Sequence, residues 1–142
     1  MKKSLAILLI FILIIIVVFV YKYNSYKLEY AQSQKINSEY EEFTEGEILG
    51  TSLITLINKA MDCNEKNNIQ KDENNFYIDN NINSIKIDIK FLEANENFQM
   101  ERIEKLGSEQ FIKNFATASF KCTKKQYHEK TKNIKYLLFE QI

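Results

Sequence analysis

An unbroken apolar run near the start of the chain, from Leu5 to Val20, limits what the protein can be more than any other feature. Its sixteen residues (5 through 20) form a helix of roughly 24 Å, and flanking interfacial residues bring it close to the ~30 Å of a bilayer core. Tyr21 and Tyr23 suit the headgroup zone, because their rings can stay apolar while their hydroxyls remain in water. The run predicts a transmembrane helix over residues 5–23, after a cytoplasmic tail of residues 1–4.

A cleaved signal peptide and a buried helix of a soluble protein are the alternative interpretations of the run. A signal peptide has an apolar core of about 7–15 residues that ends at a small-x-small cleavage site. Here the run is slightly longer, and the sequence VFVYKY at residues 18–23 offers no pair of small residues. The pattern therefore favours an uncleaved anchor in the lipid bilayer of the cell membrane.

The charges around the run bear on its orientation. Lys2 and Lys3 favour a cytoplasmic N-terminus, although lysines also follow the run. Because so short a tail leaves no room for a functional domain, the rest of the chain is the working part. We expect a single-pass protein with its N-terminus inside and its C-terminal domain outside.

The overall charge of the chain argues against one broad class of function. The 142 residues include 19 basic and 19 acidic side chains, so the formal net charge is +0. A nucleic-acid-binding protein needs clustered, excess Lys and Arg to neutralise phosphates. We therefore expect no nucleic-acid partner.

The polar segment of residues 24–47 has aromatic and aliphatic residues at helical spacing, namely Tyr26, Tyr30, Ile36, Tyr40 and Phe43. This spacing predicts that the membrane helix continues outward as a helical stalk. A coiled coil is poorly supported, since its heptad positions would include Ser33 and Asn37. The alternative, and the simpler interpretation, is that the stripe packs against the protein's own domain.

Residues 48–142 predict a small α+β head. Gly46 and Gly50 end the stalk, and Thr51 or Ser52 supplies the N-cap of a second helix. One face of this helix is apolar, with Leu53, Leu56, Ile57, Ala60 and Met61. An Asn-rich and charged loop is expected over residues 62–75.

The remaining elements of the head are mostly strands. A short strand is expected over residues 76–78, and the strict alternation from Ser84 to Leu92 predicts a half-buried antiparallel strand. A returning strand over residues 98–103 and a helix opened by Gly107-Ser108 follow. A hairpin of residues 118–127 and 134–140 completes a small antiparallel sheet with helices packed on one face.

The two cysteines, Cys63 and Cys122, are a candidate disulfide. A bridge would persist in an exported domain and would close a loop of about 60 residues. Two free buried cysteines are the alternative, because Cys also behaves as a small hydrophobic residue. The spacing of the residues leaves both interpretations open.

His128 is the only histidine, and its polar neighbours predict a solvated turn residue. On one extended strand it would lie about 20 Å from Cys122, too far for a nucleophile and its base. One histidine and two separated cysteines also make a poor zinc site. We expect no metal, no cofactor and no enzymatic activity.

Lysines gather on the predicted C-terminal hairpin as a candidate basic patch: Lys121, Lys124, Lys125, Lys130, Lys132 and Lys135. Such a patch could bind anionic lipid, an envelope polymer or an acidic partner. A solvated edge whose lysines prevent strand-to-strand aggregation is the simpler interpretation. An intermediate hypothesis pairs this patch with the acidic segment 39–47 of another subunit.

The segments GTSLITLINKAMDCNEKN and FKCTKKQYHEKT resemble those of small single-pass membrane proteins of A/T-rich Gram-positive bacteria, to which no activity is assigned. The layout of helix, stalk and head is also similar to that of pilins and pseudopilins, which assemble by bundling their N-terminal helices. The chain departs from them in lacking the Gly before the apolar run and the Glu near its start. The likeness therefore concerns architecture.

Two functions are compatible with these patterns. The first is a non-enzymatic envelope component, pilus-like or secretion-like, whose exported head contacts other envelope proteins or further copies of itself. The alternative is an extracytoplasmic binding or sensing domain for a small ligand or an anionic envelope polymer.

Overall fold

The structure, a computed structural model, describes residues 2–142, with side chains from Ser4 onward. Its helices are α1 (Lys2–Glu41), α2 (Gly50–Lys66), α3 (Met100–Leu106) and α4 (Ser108–Phe115). Its strands are β1 (Glu47–Leu49), β2 (Lys86–Lys90), β3 (Phe98–Gln99), β4 (Ser119–Tyr127) and β5 (Ile134–Gln141). The chain divides after Gln32 into two units, which are described separately.

The first unit is the N-terminal part of α1. Every side chain from Leu5 to Val20 is exposed, and the helix from Ser4 is long and apolar enough to cross a membrane. Water solvates such a surface poorly, whereas lipid chains solvate it well. Met1 and the side chains of Lys2 and Lys3, part of the predicted cytoplasmic tail, lie outside the described residues.

The second unit, residues 33–142, is an α+β fold, as predicted. The described strands form one sheet of five in the order β1-β4-β5-β2-β3. Its pairings are antiparallel except for β2 with β5, which is parallel. The prediction of an antiparallel strand at Ser84–Leu92 is thus correct towards β3 and wrong towards β5. β4 runs opposite to β2, and the β4–β5 hairpin reverses the chain once more, so β5 runs in the same direction as β2.

Apolar alternation places the core on one face of this sheet. Ile87, Ile89, Leu137 and Phe139 are all 0% exposed, and α2, α3 and α4 supply the opposing apolar residues. The predicted apolar face of α2 is confirmed, because its five residues are at most 3% exposed: Leu53, Leu56, Ile57, Ala60 and Met61. At roughly 25 cal/mol per Å² of buried apolar surface, this layer supplies the main stabilisation of the unit.

Both ends of α2 differ from the prediction. The helix begins at Gly50 with Leu49 at the cap position, and neither Thr51 nor Ser52 caps it through a side chain in the described structure. The Gly50 N–H donates to Ala118 O at 2.9 Å instead, which satisfies one free amide of the first turn. The helix continues to Lys66, so residues 62–66 are not part of a loop.

Two buried asparagines join helices to strands through both atoms of their amide groups. Asn64 of α2 donates from Nδ2 to Ile85 O and accepts at Oδ1 from Ile85 N, both at 2.8 Å. Asn37 of α1 donates to Lys132 O at 2.7 Å and accepts from Ile134 N at 2.8 Å. Ile85 directly precedes β2 and Ile134 opens β5, so each amide supplies hydrogen-bond partners to backbone at the start of a strand.

The last two turns of α1 belong to the second unit, so the prediction of a stalk over residues 24–47 is wrong for residues 33–47. Tyr40 is 2% exposed in the core, and Ile36 and Phe43 pack against it. The helix ends at Glu41, and Gly46, at φ +85°, turns the chain into β1. The interpretation that this stripe packs on its own domain is confirmed for these three residues, whereas Tyr26 and Tyr30 are exposed.

Two predicted strands are mostly absent from the described structure. Residues 76–78 contribute only an isolated bridge between Tyr77 and Lys71. Only Phe98 and Gln99 form the returning strand, and α3 follows because Met100 and Ile103 bury one helical face. The predicted helix opened by Gly107-Ser108 is confirmed as α4, and the C-terminal hairpin is confirmed as β4 and β5.

Candidate functional site: the C-terminal hairpin

The lysines of the candidate basic patch lie on the β4–β5 hairpin but do not form one surface. Lys121 and Lys124 share a sheet face with Glu140 and Leu138, their register partners on β5. Lys125 Nζ contacts Thr44 Oγ1 at 3.1 Å, and Lys135 forms an ion pair with Asp79. Lys130 and Lys132 remain exposed in the turn. The positive charge is therefore divided among several directions.

The acidic segment 39–47 lies beside the basic strand of the same chain. Glu47 is the register partner of Lys121, because β1 pairs with β4. Tyr127 donates its hydroxyl to Glu41 Oε1 at 3.1 Å, and burial together with Glu41 raises the pKa of this tyrosine. Acidic and basic regions thus meet at these positions within one molecule.

His128 is buried, and the prediction of a solvated turn residue is wrong. The side chain is 1% exposed, and its Nε2 lies 2.8 Å from Ser84 O. Since a carbonyl oxygen only accepts, Nε2 carries a hydrogen. The Nδ1 atom lies 3.9 Å from Asp79 Oδ1 and makes no hydrogen bond within the described part of the chain. His128 therefore ties the end of β4 to the loop of residues 79–84.

Asp79 supplies the negative charge of this cluster. Burial by itself raises the pKa of the Asp79 carboxyl group. Hydrogen bonds from Lys135, from the Asn81 backbone and from the Ser84 hydroxyl outweigh burial and lower that pKa to about 2. The carboxylate is thus fixed in place by three donors, two of them within its own loop.

Replacing Asp79 by asparagine is expected to lower the free energy of unfolding at neutral pH by about 1.5 kcal/mol, because an amide cannot form the ion pair. The folded-state pKa lies below the ordinary value of 3.8, so the carboxylate stabilises fully above about pH 5 and progressively less as the pH falls towards 2. Wild type and variant should therefore have similar stability near pH 2. Urea unfolding of the full chain in detergent micelles across this range measures the difference.

The matched control for this prediction is Asp72→Asn. Asp72 is exposed and accepts the backbone N–H groups of Asn74 and Phe76 at 2.9 Å, so an amide oxygen can replace its carboxylate. The control should change the stability by less than about 0.5 kcal/mol. An equal loss for Asp79→Asn at neutral pH and at pH 2 would contradict the electrostatic explanation.

The cysteines are free thiols in this structure, and the candidate disulfide is not formed between the described Cys63 and Cys122. Cys63 Sγ accepts from Asn67 Nδ2 at 3.4 Å, and Cys122 Sγ lies 3.6 Å from Lys124 O. Burial raises the pKa of the Cys122 thiol. A raised pKa keeps the thiol protonated near neutrality, which makes it a weak nucleophile.

An open groove of about 870 Å³ beside α3 is lined by charged, amide and aromatic side chains: Lys71, Asn74, Asn75, Phe76, Glu101, Arg102, Glu104 and Lys105. Glu101 is 7% exposed and accepts the Tyr77 N–H at Oε1. Its Oε2 is buried and makes no hydrogen bond to the residues that the structure describes. Both signs of charge are present in the groove.

Comparisons with family models, with curated proteins and with solved structures found no match for this chain. The roles of the residues are therefore inferred from their contacts. Sequence reasoning missed Asp79, Asn64 and Glu101, whose polar character made them look like solvated residues. A weak signal was available for Asp79, because Asp-Asn-Asn followed by Ser84 is typical of side-chain-capped turns.

Proposed function

We propose that the protein is a membrane-anchored, non-enzymatic component of a bacterial envelope, held by the N-terminal part of α1 and acting through protein contacts of its exported head. The observation that carries the proposal is that every apolar side chain from Leu5 to Val20 is exposed. A helix of this length and composition is stable in a bilayer, where its backbone is satisfied internally.

The chemistry of the head supports a non-enzymatic role. The ring of His128 faces Ser84 O and Asp79 inside the fold, and burial disfavours the Cys122 thiolate. Two buried amide side chains, Asn37 and Asn64, bind backbone atoms next to the starts of β5 and β2. These groups hold the fold together, which suits a domain used for contacts in a pilus-like or secretion-like assembly.

The location of the head is tested with two epitope tags on the full chain, one before Met1 and one after Ile142. On intact protoplasts, antibodies should reach the C-terminal tag and should reach the N-terminal tag only after permeabilisation. Both tags should also remain on one polypeptide of full size, since the anchor is uncleaved.

Different tag results would contradict different parts of the proposal. A C-terminal tag that stains only after permeabilisation would place the head in the cytoplasm. Loss of the N-terminal tag from the mature protein would identify the apolar run as a signal peptide.

A binding or sensing domain is the second candidate function, and the groove beside α3 is the observation that favours it. Its volume of about 870 Å³ is within the usual range for small-molecule sites, and Glu101 offers a buried carboxylate oxygen. Saturable binding of a small ligand to the full chain, weakened by Glu101→Gln, would favour this function over assembly.

A further inference from the structure

The face of the sheet opposite α2, α3 and α4 is accessible to solvent across β1, β4, β5 and β2. Residues that alternate with the buried ones point to this open face, and all of them are at least partly exposed: Glu47, Leu49, Lys86, Asp88, Lys90, Lys121, Lys124, Tyr136, Leu138 and Glu140. The Lys90–Glu140 ion pair at 3.8 Å and the hydrogen bond from Tyr136 to Asp88 at 2.9 Å lie on it. This is a continuous surface built from four strands.

A row of alternating charge crosses the open face. The register aligns Glu47 of β1 with Lys121 of β4, Lys121 with Glu140 of β5, and Glu140 with Lys90 of β2. We call Glu47, Lys121, Glu140 and Lys90 the charged row. Read from β1 to β2 its signs are minus, plus, minus, plus.

An apolar row lies beside the charged row. Successive residues of a strand point to opposite faces, so the residue two positions further returns to the open face. Two positions beyond Glu47 on β1 lies Leu49, which is 49% exposed. Ile142 and Leu92, 52% and 69% exposed, follow Glu140 and Lys90 by two positions and lie just past the ends of β5 and β2. Three large apolar side chains are thus exposed at one end of the sheet.

The charged row is complementary to its own reverse. A two-fold axis parallel to the strands turns a second copy so that its row runs in the opposite order, from β2 to β1. Glu47 then meets the partner's Lys90, and Lys121 meets the partner's Glu140. The same axis keeps positions along the strands unchanged, so the two apolar rows also meet. Stacked sheets with nearly aligned strands are a common packing arrangement.

We propose that the open face is the contact surface of a two-fold homodimer, with the Lys121–Glu140 contacts made twice across the axis. The inference rests on the proposed function only in assigning protein contacts to the head. Alternating acids and bases suit a second copy of the same face better than a polyanion or an anionic membrane, because Glu47 and Glu140 repel both.

The test uses charge reversal in the full chain, reconstituted in detergent micelles. Lys121→Glu and Glu140→Lys each place like charges opposite one another at both contacts, so each variant alone should dimerise at least tenfold more weakly than wild type. An equal mixture of the two variants restores opposite charges at both contacts. Energy transfer between labelled copies should therefore recover to the wild-type level in the mixture.

Two further variants separate the contact from effects on folding. Lys121→Glu with Glu140→Lys in one chain restores opposite charges between positions 121 and 140, within and between copies, and should dimerise more strongly than either single variant. It also places like charges beside Glu47 and Lys90, its neighbours in the charged row, so its dimerisation is compared with that of the single variants. Lys113→Glu, on the exposed surface of α4, reverses a charge away from the face and should leave dimerisation unchanged. Melting temperatures of all variants check that the head is folded.

Three results would overturn the inference. The first is a wild-type protein that is monomeric. The second is a dimer that neither charge reversal weakens, which would assign association to α1. The third is a mixture of the two variants in which energy transfer does not recover. The tag experiment reports separately on the proposed function. A cytoplasmic head that still shows recovery in the mixture would contradict that function and support this contact surface.

Discussion

Replacing Asn64 by alanine is expected to lower the free energy of unfolding by about 3 kcal/mol, because two buried hydrogen bonds disappear together. The Asn64 side chain donates to Ile85 O and accepts from Ile85 N, and both residues are at most 2% exposed. Alanine would leave this amide and this carbonyl without partners where water cannot easily reach them. For a domain of this size the melting temperature should fall by roughly 15 °C.

The matched control for this prediction is Asn58→Ala on the same helix. Asn58 is exposed, and within the described structure its side chain forms one hydrogen bond, which it donates to the Ser108 hydroxyl at 3.4 Å. Alanine has the higher helix propensity, so the control should change the stability by less than about 0.5 kcal/mol in either direction. Near-ultraviolet circular dichroism of the full chain in detergent micelles follows the unfolding. Equal effects of the two substitutions would show that the Ile85 contacts contribute little.

The parts of the fold that could be predicted from the sequence are those fixed by apolar periodicity. The face of α2, the alternation of β2 and the C-terminal hairpin each repeat a pattern several times, so one ambiguous residue does not change the assignment. Residues 98–103 are ambiguous because Phe98, Met100 and Arg102 alternate while Met100 and Ile103 also have helical spacing. Packing of Met100 and Ile103 into the core decides for a helix.

The polar contacts could not be predicted, because each depends on a partner far along the chain. Asn37 binds backbone 95 and 97 positions away, and its polarity argued against burial at the sequence level. His128 is buried because the loop of residues 79–84 folds over its ring. The residue of that loop that His128 contacts, Ser84, precedes it by 44 positions. Local composition carries no information about such pairings.

The candidate basic patch illustrates the same limit for function. The lysine cluster could be read from the sequence, but its division among Asp79, Thr44 and the open face depends on strand register and on distant loops. The charged row likewise combines residues from four strands that are spread over positions 47 to 140. A surface of this kind becomes visible only when the sheet order is known.

Replacing Gly50 by alanine is expected to destabilise the head by about 3 kcal/mol, although the same change usually stabilises a helix by about 0.5–1 kcal/mol. A Cβ atom at this position would lie 1.9 Å from Phe115 O and 2.7 Å from Phe115 C, which are backbone atoms of α4. To make room, the end of α4 must move away from α2. The Phe115 ring, whose centroid lies 4.6 Å from that of Phe91, would move with it.

Two substitutions nearby distinguish this steric effect from other causes, with urea unfolding of the full chain as the measurement. Thr51→Ala changes an exposed neighbour in the same first turn and should alter the stability by less than about 0.5 kcal/mol. Gly46→Ala meets open space but adopts φ +85°, so it should cost only the left-handed strain of about 1–2 kcal/mol. The close approach of α2 and α4 predicts that alanine destabilises the head most at Gly50, less at Gly46 and least at Thr51. A Gly50→Ala variant as stable as the wild type would show that the two helices can separate at little cost, and would contradict the close packing of α2 against the end of α4.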